Sequence, residues 1–167
     1  MSRTDSASQH TPSLGTLLRV ANAVMIEEYT RWLAASPYRE IQPAHAAAIQ
    51  PLWHRPDGVR LTEMAQTARI TKQSMGALVD SLEHAGYLER VDDPDDARAW
   101  RVRLTAKGRR YGRDVRKFSR THEKSIATHF GTQRLEELRK SLELLVKLTR
   151  EEIRGQTTQS PNSKKRN

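Results

Sequence analysis

The chain has 167 residues, enough for one domain with extensions and a buried core. Lysines and arginines number 29 against 20 acidic residues, a formal charge of +9, and the pI is near 10.2. That balance favours a polyanion partner, because neutralising phosphates releases condensed counterions. Without cysteine there are no disulfides, thiolate zinc sites or thiol nucleophiles. No apolar run is long enough to span a membrane and residues 1–13 are polar without a signal-peptide core, so the expected location is the cytoplasm. A hydrophobic fraction of 36% and a mean hydropathy of −0.78 are low for a monomer of this size, which favours helices with long solvated faces or a core shared with a second copy.

In chain order, residues 1–13 are expected to be disordered. From Leu14 the apolar positions Leu14, Leu17, Leu18, Ala21, Val24, Met25 and Trp32 recur at helical spacing, and the helix ends near Ser36-Pro37 because a residue before proline is pushed out of the helical region. A second helix starts at Pro43, a favoured first-turn position, and runs toward Trp53 with a kink or stop at Pro51. Residues 61–105 read as a short helix, a turn, a helix opened by Thr71-Lys72-Gln73-Ser74, and a basic β-hairpin. Met75, Leu78, Val79 and Leu82 lie on one stripe of that helix and leave Lys72, Gln73, Ser74, Ala77 and Asp80 on other faces. Gly86 suits a left-handed residue after the helix end, and Tyr87-Leu88-Glu89-Arg90-Val91 begins a strand. After the turn-rich Asp92-Asp93-Pro94-Asp95-Asp96-Ala97-Arg98-Ala99, the returning strand places Trp100, Val102 and Leu104 on a buried side and Arg101 and Arg103 on a cationic one. Together with Arg98, Lys107, Arg109, Arg110, Arg113, Arg116 and Lys117, these arginines predict one basic face. Thr105 is a candidate N-cap for a helix with the stripe Tyr111, Val115, Phe118, His122, Ile126 and Phe130; Gly131-Thr132 separates it from a last helix carrying Leu135, Leu138, Leu142, Leu145 and Leu148. Residues 154–167, which end in Lys164-Lys165-Arg166 before Asn167, are expected to be a disordered basic tail.

The linked motifs Leu61-Thr62-Glu63-Met64-Ala65, Thr71-Lys72-Gln73-Ser74-Met75, Leu78-Val79-Asp80-Ser81-Leu82-Glu83, Gly86-Tyr87-Leu88-Glu89-Arg90, Asp93-Pro94-Asp95-Asp96-Ala97-Arg98 and Leu104-Thr105-Ala106-Lys107-Gly108 closely resemble the MarR (multiple antibiotic resistance regulator) family of bacterial transcription factors. The resemblance implies a mainly α fold with a small β-hairpin wing: a winged helix-turn-helix over 43–105, flanked by dimerisation helices over 14–36 and 105–153, in one domain over 14–153. It implies a cytoplasmic, nucleoid-associated homodimer bound to double-stranded DNA, acting as a repressor at a pseudo-palindromic operator. The helix from Thr71 would enter the major groove and Arg98 the minor groove. The DNA-contacting candidates are Thr71, Lys72, Gln73, Ser74, Ala77, Arg98 and Arg101, with Asp96 orienting Arg98 or Arg101. Ala97 departs from the family, many of whose members carry another arginine there.

Gln73 can read adenine with its two-ended amide, and Lys72 can reach guanine or phosphate; each is otherwise a solvated helix residue. Gly76 inside the helix is explained by close approach of another backbone or of DNA, or by drift. Family members that hold a small aromatic or phenolic effector between the dimer helices and the winged helix imply such a crevice here, with Tyr29, Trp32, His45 and Trp53 as its lining; the alternative is that these side chains pack the junction. The six histidines make no metalloprotease pattern, and neither a phosphate-cradling glycine loop nor a Gly-x-Ser-x-Gly elbow is present, so neither catalysis nor a cofactor is expected. His122 and His129 with Glu123 are a weak metal candidate, read as structural. The rival to a ligand-responsive regulator is an architectural DNA binder without an effector.

Overall fold

The computed structural model describes residues 11–158, with side chains as far as residue 149. The expected disorder of residues 1–10 and 159–167 lies outside the described residues. The chain divides into two compact units, Met1–Val115 and Arg116–Asn167, where the sequence reading has one domain over 14–153. A winged helix can close its own core within the first unit, whereas the helices of the second carry few buried side chains.

In the first unit, α1 (Leu14–Ala35) is capped by Ser13, whose hydroxyl accepts the Thr16 N–H at 3.2 Å. It stops at Ser36, before Pro37, as the sequence predicts. Of the whole helix only Leu33 is fully buried, and Leu14, Leu17, Val20, Val24 and Met25 are exposed. A 3-10 turn over Pro43–His45 leads into the short α2 (Ala46–Ile49), and a second 3-10 turn, Gln50–Leu52, carries Pro51. The regular helix stops before Pro51 because proline cannot donate the next hydrogen bond.

Strand β1 (Val59–Arg60), absent from the sequence reading, precedes α3 (Leu61–Ala68) and α4 (Lys72–His84). Two residues are too few to show an alternating pattern. Between α3 and α4, Arg69 adopts φ 55°, a left-handed conformation that makes the sharp turn and that few non-glycine residues take. Met75, Val79 and Leu82 of α4 are fully buried and Leu78 partly so. The helix closes as expected: Gly86 has φ 76°, and the N–H groups of Gly86 and Tyr87 bond the carbonyls of Glu83 and Leu82 at 2.9 and 2.8 Å, satisfying two otherwise orphaned acceptors.

The wing is formed by β2 (Leu88–Asp93) and β3 (Asp96–Leu104), and β3 also pairs with β1, so the sheet order is β1-β3-β2, all antiparallel. Leu88, Val102 and Leu104 face the core. Trp100 departs from its predicted burial and is 37% exposed. Helix α5 (Ala106–Phe130) is capped by Thr105, whose hydroxyl accepts the Gly108 N–H at 3.1 Å. A Cβ on Gly108 would stand 2.2 Å from the Tyr87 carbonyl oxygen, so only glycine lets this helix meet the sheet. Tyr111 and Val115 complete the core of the first unit.

In the second unit α5 ends at Phe130 and Gly131, at φ 92°, turns the chain into α6 (Thr132–Thr158). The helix continues through Gly155, a correction to a tail beginning at 154: one interior glycine costs only about 1 kcal/mol, too little to end an established helix. Arg139 pairs with Glu123 at 3.0 Å, and Phe118 stacks on His122.

Candidate nucleic-acid interface

Helix α4 presents the first half of the site. Its buried stripe points Lys72, Gln73 and Ala77 outward, and all three are exposed. Thr71 and Ser74 are exposed too, but they also serve the helix itself, since the Thr71 hydroxyl accepts the Ser74 N–H at 3.0 Å and meets the Ser74 hydroxyl at 2.8 Å. Such a cap satisfies one of the four unpaired donors at a helix start. The remaining N-terminal amides, the helix dipole and Lys72 leave this end electropositive. Gly76 is half-buried, and a Cβ there would meet nothing within 4 Å, so no neighbouring backbone in this chain explains the glycine.

The wing tip presents the second half. Asp96 Oδ1 accepts the backbone N–H of Arg98 at 3.0 Å, fixing the tip backbone and not an arginine side chain. Arg98 itself is exposed, and among the described residues no ion pair engages its guanidinium.

Arg101 is placed differently from its expected role. Register sets Arg60 of β1 directly opposite Arg101 of β3, an unfavourable pairing of like charges. The Asp93 carboxylate, fully buried as a side chain, resolves it by accepting from Arg60 Nε at 2.5 Å, from Arg101 at 3.1 Å and from the Asp95 N–H at 3.0 Å. Arg101 also reaches Asp95 at 2.7 Å. Hydrogen bonds from Arg60 and then Arg101 hold the Asp93 carboxyl far below the usual range. Arg101 is thus bound into the wing itself, and Asp93 and Asp95, not Asp96, orient it. A contact between positions 60 and 93 leaves no mark in a single sequence, so this clamp is invisible before the fold is known.

The single basic face is also corrected. Arg103 pairs with Glu89 at 2.8 Å, Lys107 with Glu40 at 2.8 Å, and Arg109 donates to the Leu104 carbonyl at 2.6 Å. Acidic partners thus neutralise Arg101, Arg103 and Lys107 within the cluster. Arg98 and Lys72 remain available.

The proposed effector residues fall in a tyrosine-rich core. Tyr29 stacks on Trp32 with ring centroids 6.0 Å apart and hydrogen-bonds Tyr111 through their hydroxyls. Tyr38 packs edge-on against Tyr111 and donates to Asp114 at 2.5 Å. Burial, with Asp114 adding to it, pushes the Tyr38 hydroxyl up to about 12, and burial raises Tyr111 and Tyr87 further. Tyr87 donates to Glu40 at 2.7 Å, and Lys107 lies 4.1 Å above the Tyr87 ring. Hydrogen bonds from Lys107 and Tyr87 hold Glu40 at about 2. His45 is buried, its Nδ1 accepts the Gln42 N–H at 3.0 Å, and burial lowers its pKa. Trp53 packs against the core. The structure thus joins Tyr29 and Trp32, while His45 caps a turn. In the second unit Glu123 is paired to Arg139 and His129 Nδ1 meets the Ser125 carbonyl at 3.1 Å.

A short helix, a left-handed turn and a second helix with one outward polar face, followed by an antiparallel hairpin, define a winged helix-turn-helix. Residues 41–99 match the sequence model of the MarR family. Over 85 residues it is 27% identical to the HTH-type transcriptional regulator BilQ of Clostridioides difficile (strain CD3), a match covering 51% of this chain and 57% of BilQ. The chain therefore spans little more than half the length of that curated relative. Among solved structures, the CouR transcriptional repressor bound to a 23-mer DNA duplex is similar at 27% identity and TM-score 0.69, covering 80% of this chain and 92% of CouR. Streptococcus pneumoniae FabT in complex with DNA shares the fold at 20% identity and TM-score 0.72, covering 82% and 95%. Among the described residues no helix is long and apolar enough to cross a membrane.

Proposed function

We propose that the chain is a transcriptional repressor that binds double-stranded DNA as a homodimer and is released by a small aromatic or phenolic acid. The observation that carries the DNA reading is the face of α4: Lys72, Gln73 and Ala77 point away from the buried Met75, Val79 and Leu82, with the exposed Arg98 at the wing tip. Gln73 reads a base edge, Lys72 takes phosphate or guanine, and Arg98 enters the minor groove, where a narrow groove concentrates negative potential. CouR, a repressor bound to DNA, supports the reading. The uncovered apolar residues of α1 and α6 support a two-fold dimer, whose paired α4 helices would read half-sites about 10 bp apart.

Selection from a random duplex pool tests this. The expected product is an imperfect palindrome with half-site centres about one helical turn apart; recovery of no common sequence overturns it. The effector is expected beside Tyr29 and Trp32. Aromatic carboxylic acids should weaken operator binding about 5- to 150-fold, the range of ordinary coupling between sites. Unchanged affinity across such a panel would leave an architectural DNA binder.

A further inference from the structure

We propose that Arg90 is a positioning residue that sets the wing against α4, with the Trp100 ring as its seat. The inference rests on the DNA-binding function proposed for α4 and the wing. Arg90 stands on β2 opposite Val102, one diagonal step from Trp100, which pairs with Asp92. Its guanidinium carbon lies 4.5 Å from the centre of the Trp100 ring. One edge of the same group donates to Asp80 at 2.5 Å, and the other pairs with Glu83. Asp80 and Glu83 are three residues apart on α4, so one planar side chain joins the helix and both strands of the wing. Only arginine can do this: its N–H edges meet two carboxylates while its face lies on an aromatic ring, and a lysine ammonium has neither plane nor fork.

Two otherwise unexplained features follow. Trp100 lies beyond the core yet keeps a large apolar ring at the surface, which Arg90 covers on one face. Asp80 shares the outward side of α4 with Gln73 and Ala77, where a bare carboxylate would repel phosphate; the Arg90 charge offsets it. Two DNA-contacting elements can reach adjacent grooves together only if their separation is fixed, and among the described residues Arg90 is the side chain paired to both α4 and the Trp100 strand.

The test compares full-length wild type with Arg90→Lys, Trp100→Phe and Trp100→Ala, using the duplex recovered by selection and a random duplex. Arg90→Lys keeps the charge, so a plain phosphate contact would survive it. As a positioning residue, Arg90→Lys should lower the operator-to-random affinity ratio about ten-fold with the salt dependence unchanged. Trp100→Phe keeps a ring and should stay near wild type; Trp100→Ala should lose about two- to five-fold, the usual strength of an exposed cation–π contact. Acrylamide quenching of the emission that Trp100→Phe removes should rise in Arg90→Lys, with or without DNA. An unchanged ratio in Arg90→Lys, or unchanged quenching, overturns the latch while wild-type selection leaves the DNA reading intact. A wild type that selects no duplex overturns both.

Discussion

Arg98 and Arg101 are three positions apart in sequence and look equivalent there, yet their surroundings give them opposite roles. The guanidinium of Arg101 serves a buried carboxylate, whereas that of Arg98 stands at an exposed tip. Arg98→Ala should therefore weaken DNA binding, reduce the slope of log affinity against log salt if it touches phosphate, by about one ion, and leave thermal stability nearly unchanged. Arg101→Ala should do the reverse first: the melting temperature falls because Asp93 loses one of its two cationic partners, and DNA affinity falls through the loosened wing with the slope kept. Equal melting temperatures for the two variants would return Arg101 to the DNA contacts. Gly76 offers a complementary case. With nothing within 4 Å of a Cβ, Gly76→Ala should stabilise the fold by about 0.5–1 kcal/mol through helix propensity. A simultaneous loss of operator affinity would show that DNA, not drift, requires the missing methyl.

At the scale of elements, α4 and its caps were legible because each signal is local: Thr71 at the start, Gly86 at the end and one apolar stripe between. Thr105 and Gly131 bounded α5 for the same reason. What the sequence could not show depends on distant pairing. Strand β1 exists because β3 offers it an edge, and the Asp93 clamp needs residues from both. The link between the segment before α2 and the start of α5 is of this kind, for Glu40 meets Lys107 and Tyr87 across most of the sequence of the winged helix. Its pH dependence has a definite sign. Glu40 sits at about 2 in the fold against an ordinary 4.5, so its stabilisation is present above pH 4.5 and is lost as pH falls toward 2. Glu40→Gln should unfold at lower urea than wild type at pH 6, and the gap should narrow between pH 4.5 and 2. A gap that stays constant through that window would mean that the carboxylate charge contributes nothing.

For the whole molecule, the decisive quantity is the apolar surface one chain leaves uncovered. Leu14, Leu17 and Val24 on α1 are each more than half exposed, and Leu138, Leu144 and Leu148 on α6 are exposed at 44%, 56% and 49%. A soluble monomer rarely shows apolar patches beyond about 300–600 Å², and long helices with so little buried on their own chain are what a shared core looks like from one side. If α6 supplies that core, Leu138→Asp places a carboxylate in an apolar seam, at a cost of several kcal/mol per buried ion. Sedimentation should then show a dimer for wild type and a monomer for Leu138→Asp at micromolar concentration. Lys140→Asp, two residues along and on another face of α6, adds the same group and should remain dimeric. Specific DNA binding should follow the assembly, because the monomer keeps every DNA-facing residue but only one half-site. Weak, salt-sensitive binding to any duplex should survive in it, since phosphate contacts need no symmetry. A monomeric wild type would sink the two-fold operator, and a dimeric Leu138→Asp protein would move the seam away from this stripe of α6.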